Sequence, residues 1–121
     1  MNRVTNTDAG ARTRSIEDTR EHIRALIAAH SPDASGAIAT AAGDPEPLIR
    51  AFAAYQLGAT QHPDAMRLLT QLSRDTSPAV RWAVVEGLGT LGSADALRLI
   101  LAFAVDDTDV GVKAEAISAL S

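Results

Sequence analysis

The sequence predicts an all-α protein built as a short α-solenoid, a stack of antiparallel helix pairs. Two observations indicate this fold. A turn-like segment occurs three times at a nearly constant spacing, as Asp44–Arg50, Asp75–Arg81 and Asp107–Lys113. A second element begins at Pro32, Pro63 and Ala94, which are equally spaced along the chain. Two elements that recur in fixed order at such a period are typical of a repeat protein whose units stack.

The composition fits a small globular chain and excludes several kinds of site. Of 121 residues, 46% are hydrophobic and only 3% aromatic, so the core must consist of small and aliphatic side chains at close helix contacts. There is no cysteine, which excludes thiolate nucleophiles, disulfides and Cys-ligated metal sites. No run of about 18 apolar residues occurs and no apolar leader is visible, so we expect a cytoplasmic protein without membrane contact.

The N-terminal segment 1–30 differs from the repeats. Residues 1–14 are polar and aperiodic, which predicts a flexible tail. Residues 15–30 form an amphipathic pattern with Ile16, Ile23, Leu26 and Ile27 on its apolar side, and Ser15 with Asp18 resembles a capping box. This segment lies where the second helix of a preceding pair would be, but it lacks the Asp and Arg of the repeats. We therefore predict a solenoid over 15–121 that begins with a capping helix at 15–30.

Three helix pairs are predicted to follow, at 32–58, 63–89 and 94–121. The first helix of each pair begins at a Pro-Asp-Ala or Ala-Asp-Ala triplet, because Pro fits the first turn and Asp is favourable near the N-terminal dipole. Apolar residues then follow at i, i+3, i+4 and i+7, as in Ala65, Leu68, Leu69 and Leu72 and in Ala96, Leu99, Ile100 and Phe103.

The second helix of each pair follows a turn that begins with Asp and has the pattern Asp-x-x-Pro in the first two copies. Its expected buried positions are Ile49, Ala53 and Leu57, then Val80, Val84 and Leu88, then Val112, Ala116 and Leu120. Gly58 and Gly89 come directly after the last of these leucines in the first two copies. We expect these two glycines to end their helices.

The Asp-x-x-Pro-x-Val/Ile-Arg pattern and the Leu-Gly ending resemble HEAT repeats, in the short form of phycobilisome-lyase-like HEAT proteins, over residues 32–121. The resemblance implies an armadillo/HEAT-like superhelix. It also implies a ladder of hydrogen bonds between neighbouring repeats, formed by Asp44, Arg50, Asp75, Arg81, Asp107 and Lys113. An Asp can accept from free N–H groups at a helix start and from an Arg at once. The third copy departs from the pattern, because Lys113 cannot make a two-pronged contact and Val110 replaces the proline.

Three of the four aromatic residues lie on the predicted second helices. Repeat equivalence indicates that Phe52, Tyr55 and Trp82 face solvent, and the resemblance implies that second helices line the concave side of the solenoid. Tyr and Trp are enriched at binding hot spots, so these residues predict a partner-binding patch. Glu86 lies one turn beyond Trp82, where it could orient a cationic group of the partner. The alternatives are that the aromatics fill space between repeats and that Glu86 is an ordinary surface carboxylate.

No pattern of catalytic or metal-ligating residues is found. HEAT-type hydroxylases bind iron through repeated His-Glu pairs, whereas Glu21-His22 is the one adjacent pair here. His30 and His62 lie at predicted helix ends, where we expect solvated side chains. The acidic run at 106–109 lacks the glycine and the distal glutamate of a calcium loop. We therefore expect no catalytic residue, no metal and no cofactor, and a binding protein rather than an enzyme.

The charge distribution narrows the expected partners. Residues 31–121 carry six basic and eleven acidic side chains, so we expect no nucleic-acid partner, and a DNA-lesion-binding HEAT protein would need a basic concave face. The sequence favours a scaffold or adaptor that binds a protein of unknown identity on its concave face. A small-molecule-handling enzyme resembling the HEAT-type bilin lyases remains the alternative. The last helix has no polar cover, so either it forms a homodimer or the chain is a piece of a longer array.

Overall fold

The computed structural model describes residues 2–121, with side chains at 11, 13 and 15–121. This part of the chain forms seven helices and contains no strand. The helices are α1 (Asn2–Ala28), α2 (Ala34–Ala42), α3 (Pro47–Ala59), α4 (Ala65–Leu72), α5 (Pro78–Leu91), α6 (Ala94–Asp106) and α7 (Val110–Leu120). The predicted all-α solenoid of helix pairs is confirmed.

The second helices of the pairs form one layer and the first helices another. Helix α3 packs along α5, and α5 along α7, whereas the first helices α2, α4 and α6 touch each other very little. Helices that lie close together occupy the inside of a curve, and helices that spread apart occupy the outside. Helices α3, α5 and α7 therefore form the inner layer, and α2, α4 and α6 form the outer layer.

Helix α1 covers the N-terminal end of the stack. It packs against α2 and α3 through the buried Ile23 and the half-buried Ile16 and Ile27. We predict its start at Ser15, but the helix begins at Asn2, and the carbonyl of Ser15 accepts a hydrogen bond from Thr19 inside it. A packed helical segment extends at little cost once it is nucleated, because each added residue gains one hydrogen bond. The flexibility of residues 1–14 stays a prediction.

An aspartate stabilises the turn before each second helix, as Asp-x-x-Pro in the first two copies and Asp-x-x-Val in the third. The side chains of Asp44, Asp75 and Asp107 accept hydrogen bonds of 2.8, 2.9 and 2.8 Å from the backbone N–H two residues later. Proline occupies the first turn of α3 and α5, where its missing N–H costs nothing. The turn therefore fixes where each second helix begins.

The prediction that Gly58 and Gly89 end their helices is wrong. Both lie inside α3 and α5, and the chain leaves these helices at Gln61 and Gly92, which have φ angles of 53° and 65°. His30, at the end of α1, has the same left-handed conformation with φ of 51°. Gly58 serves a different purpose, since a Cβ there would overlap the backbone of Gly87 on α5.

The core runs through all three pairs and follows the predicted apolar positions, except that Leu99 is half-buried and Leu120 is exposed. Leu57 and Leu88 are fully buried, but Leu120 at the equivalent position of α7 is 42% exposed. Helix α3, which carries Leu57, packs along α5, and α5, which carries Leu88, packs along α7. Helix α7 is the last described helix, so its outer face stays open.

Candidate functional site

The inner layer exposes two aromatic side chains on neighbouring helices. Tyr55 on α3 is 47% exposed and Trp82 on α5 is 40% exposed. Because Arg50 and Arg81 occupy equivalent positions, Trp82 corresponds to Ala51, one helical turn before Tyr55. Leu48 lies two turns before Tyr55 on the same side of α3 and is also exposed. We call these three exposed residues the inner aromatic surface.

Phe52 lies beside this surface but is not a free part of it. Its ring is half-buried and packs against the core, and the guanidinium carbon of Arg24 lies 5.2 Å from the ring centroid. Repeat equivalence predicts exposure at this position, yet the equivalent Ala83 is buried as well. Arg24 belongs to α1, the helix that precedes the three pairs. The cation–π contact, worth about 0.5–1 kcal/mol at such a site, attaches α1 to α3.

Glu86 lies one turn after Trp82 on α5 and is half-buried. Burial raises the pKa of Glu86, and the charge of Glu115 on α7 raises it further. Two carboxylates that disfavour each other's charge attract a positively charged group. The side of the inner aromatic surface next to α7 is therefore suited to a Lys or Arg of a binding partner.

The ladder residues form two complete rungs. Arg50 donates from Nε and Nη2 to the two carboxylate oxygens of Asp75, at 2.8 and 3.1 Å, and from Nη1 to the carbonyl of Asp44 at 2.9 Å. Arg81 makes the same contacts with the carboxylate of Asp107, at 2.9 and 3.2 Å, and with the carbonyl of Asp75 at 2.8 Å. Each arginine thus joins the turn before its own helix to the turn of the following pair.

The rungs stay charged at neutral pH. Burial alone would raise the pKa of Asp75 and of Asp107, but hydrogen bonds from the arginines and from backbone N–H groups outweigh it, and both pKa values lie below the ordinary range. The hydrogen bond to Asp75 raises the pKa of Arg50. The ladder can therefore hold the spacing of the repeats, but it offers no group ready to exchange a proton near neutral pH.

Among the described residues, neither end of the ladder has an ion pair like those of the two rungs, although the charge of Lys113 contributes to the lowered pKa of Asp107. Arg50 precedes Asp75 by 25 residues. The residue at the same distance before Asp44 is Thr19, whose neutral side chain cannot form an ion pair. Lys113 makes no ion pair of the kind that Arg50 and Arg81 make within residues 2–121. The rungs therefore join the three helix pairs to each other and do not extend to α1.

His62 is buried, which contradicts the expected solvated side chain. It is 7% exposed, its Nε2 lies 2.9 Å from the carbonyl oxygen of Ser35, and its Nδ1 accepts a hydrogen bond of 2.9 Å from the N–H of Asp64. It connects the loop before α4 to the start of α2. His22 and His30 are exposed, and the described residues contain no group of three or more His, Asp or Glu that could hold a metal ion.

Several clefts lie away from the inner aromatic surface. One of about 670 Å³ separates α4 from α6 in the outer layer and includes Met66 and Leu99 in its walls. Another of about 480 Å³ lies near His30 and His62. Tyr55 and Trp82 line neither cleft and lie on open surface. Small molecules bind in concave sites that cover most of their area, so an open aromatic surface suits a segment of a macromolecule better.

Comparison with known protein families matches residues 34–121, most of the chain, to a model described as HEAT repeats. Comparisons with curated proteins and with solved structures give no match. None of the described helices has the length and apolar character needed to cross a membrane.

Proposed function

The chain belongs to the HEAT-repeat family, and from that premise we propose that it is a scaffold or adaptor that binds a partner protein on its inner layer. Stacked helical repeats commonly present such a concave binding surface. The observation that carries the proposal is the exposure of Tyr55 and Trp82 on adjacent inner helices. Large aromatic residues that stay exposed in a chain with 3% aromatics are not needed to fill the core.

The chemistry of the surface suggests what it binds. An apolar side chain of the partner would lie between Tyr55 and Trp82, where aromatic anchors contribute most of the binding energy. A Lys or Arg of the partner would lie near Glu86 and Glu115, whose mutual repulsion it would relieve. The proposed ligand is therefore a protein segment with an apolar residue followed or preceded by a basic one.

The rigid packing beneath the surface favours binding. The Arg50–Asp75 rung and the contact between Gly58 and Gly87 both hold α3 against α5. Two helices that are fixed in this way lose little conformational freedom when a partner binds, which lowers the cost of association. In this proposal the ladder keeps Tyr55 and Trp82 at a constant separation and takes no direct part in binding.

The resemblance to phycobilisome-lyase-like HEAT proteins would instead suggest a small molecule bound on the inner layer. The open position of Tyr55 and Trp82 supports a protein ligand over a small one. We also propose that the chain meets this partner in the cytoplasm, the compartment that the sequence predicts.

Affinity capture from an extract of the native cells tests the proposal. Three forms are compared: the wild type, the inner variant Tyr55→Ala/Trp82→Ala, and the outer-layer control Arg67→Ala/Gln71→Ala, with circular dichroism to show that all are folded. We expect the wild type and the control to capture the same protein. We expect the inner variant to lose at least about 30-fold in affinity, as for removal of about 2 kcal/mol of hot-spot energy.

Two outcomes would contradict the proposal. Equal capture by all three forms would move the binding site away from the inner layer. Capture of no protein by the wild type would argue against an adaptor and would favour the small-molecule alternative.

A further inference from the structure

The turn of the first helix pair carries a ladder aspartate that receives no arginine. The carboxylate of Asp75 accepts from the guanidinium of Arg50 and also from the N–H of Ser77. Among the described residues, the carboxylate of Asp44 accepts only from the N–H of Glu46, at 2.8 Å through Oδ1. The other carboxylate oxygen of Asp44 therefore has no partner in the described part of the chain.

Thr19 lies at the position from which an arginine would reach Asp44. Helices α1 and α3 end in the same way, at the left-handed residues His30 and Gln61 with φ of 51° and 53°. Counted back from these two residues, Thr19 of α1 corresponds to Arg50 of α3. Because this position lies inside the described chain, no further helix pair before α1 would supply a ladder arginine to Asp44.

A cleft of about 260 Å³ between α1 and α2 reaches Asp44. Thr19 lines it from α1, and Ala37 and Ala41 line it from α2. The equivalent positions of the second pair hold larger side chains, namely Arg50, Leu68 and Leu72. The cleft is therefore the space that larger side chains, among them the ladder arginine, fill in the second pair. We call it the Asp44 cleft.

Arg50 lies close to Asp44 but does not use its carboxylate. Nη1 of Arg50 donates to the backbone carbonyl of Asp44 at 2.9 Å, while Nε and Nη2 donate to Asp75. Asp75 accepts both kinds of contact at once, because Arg81 donates to its carbonyl and Arg50 to its carboxylate. The carbonyl contact at Asp44 therefore leaves its carboxylate available for a second guanidinium.

The walls of the Asp44 cleft suit the side chain of an arginine. Ile23, Ala37 and Ala41 provide apolar surface for the methylene stem, along which long charged side chains commonly pack. The carboxylate at the end suits the planar guanidinium, which makes two-pronged contacts in both rungs. None of the residues that line the cleft is Lys or Arg, so it offers no such cation to the α-carboxylate of free arginine.

We propose that the Asp44 cleft binds an arginine side chain of a partner protein, whose guanidinium takes the place of the absent ladder arginine. The contact extends the ladder by one rung toward α1. This site is independent of the inner aromatic surface, because Tyr55 and Trp82 do not line the cleft. A single partly exposed ion pair contributes little, so the isolated side chain should bind with a dissociation constant in the millimolar range.

NMR titration of the full chain with N-acetyl-L-arginine methylamide tests this inference. The amide signals of Thr19, Thr40 and Glu46 should shift and saturate. Asp44→Asn keeps an oxygen for the N–H of Glu46 but removes the charge, so it should abolish the saturable shift. The titration is run at about pH 8, above the ordinary His pKa of about 6.5, because His22 lines the cleft.

Two controls separate specific recognition from general attraction of a cation. Asp33→Asn removes one charge from an exposed side chain just before α2 and should bind the arginine probe as the wild type does. N-acetyl-L-lysine methylamide has no planar fork and should bind the wild type several-fold more weakly.

Thr19→Arg provides a second test, which fills the cleft from within the chain. It should raise the melting temperature by a few degrees and abolish binding of the arginine probe, because its guanidinium completes the rung to Asp44. The same substitution in the Asp44→Asn chain should give a clearly smaller rise, since only the better helix propensity of arginine remains.

Circular dichroism must show that the variants are folded. The inference would be overturned by a wild type without a saturable shift, by equal binding of the two probes, or by probe binding that persists in folded Asp44→Asn or Thr19→Arg. An equal rise in melting temperature from Thr19→Arg in both chains would also overturn it. Free L-arginine that binds more tightly than the capped probe would contradict a partner protein as the source.

Discussion

The interface between α3 and α5 and the interface between α5 and α7 use equivalent residues but pack differently. In the first, the backbones of Gly58 and Gly87 are in contact, and the two helices lie close along much of their length. In the second, Gly89 occupies the place of Gly58, but a Cβ there would meet only the Cβ of Ala119, at 4.0 Å. The same repeat position is therefore essential in one interface and replaceable in the next.

The largest expected effect is the difference in stability between adding a methyl group at Gly58 and adding one at Gly89. Gly58→Ala should lower the free energy of unfolding by about 3 kcal/mol, because the Cβ meets rigid backbone rather than a movable side chain. Gly89→Ala should raise it by up to about 0.5 kcal/mol through the better helix propensity of alanine. Urea unfolding of both variants measures the difference. Equal losses would show that the two interfaces are equally close.

The rungs give the next largest effect. Arg81→Ala should cost about 2–3 kcal/mol, since it leaves the carboxylate of Asp107, whose side chain is 5% exposed, buried without its cation. Lys113→Ala should change the stability by no more than about 0.5 kcal/mol, because the half-buried Lys113 makes no ion pair among the described residues. Thermal unfolding provides the test, and equal melting temperatures for the two variants would count against the ladder.

The pH dependence of the rungs separates ionic from packing contributions. The folded-state pKa values of Asp75 and Asp107 lie below those of the unfolded chain. The stability that the rungs add is therefore fully present above the ordinary Asp pKa of about 3.9, and it is lost as the pH falls through the folded-state values. The gap in unfolding free energy between the wild type and Arg81→Ala should narrow below about pH 4. A gap of constant size from neutral to acid pH would show that only packing is lost.

The smallest expected effect concerns Glu86, at the α5–α7 interface. The raised pKa of Glu86 means that its ionised form is disfavoured in the folded chain. The ionised side chain therefore lowers the stability at neutral pH, and this loss disappears as the pH falls below the ordinary Glu pKa. Glu86→Gln should therefore raise the stability at pH 7, by on the order of 0.5 kcal/mol. Chemical unfolding at pH 7 and at about pH 4 measures it, and a loss of stability at pH 7 would contradict this sign.

The sequence predicted the features that arise within one repeat. The helix pairs, their buried stripes and the Asp turns depend on residues close in the chain, and three copies strengthen the signal. The family resemblance implied a ladder between neighbouring repeats, and the structure supplies the pairing of Arg50 with Asp75.

Features that depend on what covers a residue could not be read from the repeats. The half-burial of Phe52 depends on its packing against the core and on Arg24 of α1, and the role of Gly58 depends on how closely α5 approaches. His62 is buried because the start of α2 offers its ring a carbonyl, a contact that no sequence pattern marks. The exposure of Leu120 results from its place in the last described helix.

Photo-crosslinking in the native cells tests most directly whether the inner layer is the binding surface. A photoreactive amino acid replaces either Tyr55 on the inner layer or Gln71, an exposed residue of the outer helix α4. We predict a crosslink from position 55 to one specific protein, which the additional substitution Trp82→Ala abolishes, and no such crosslink from position 71. A specific crosslink from position 71 with none from position 55 would contradict the account.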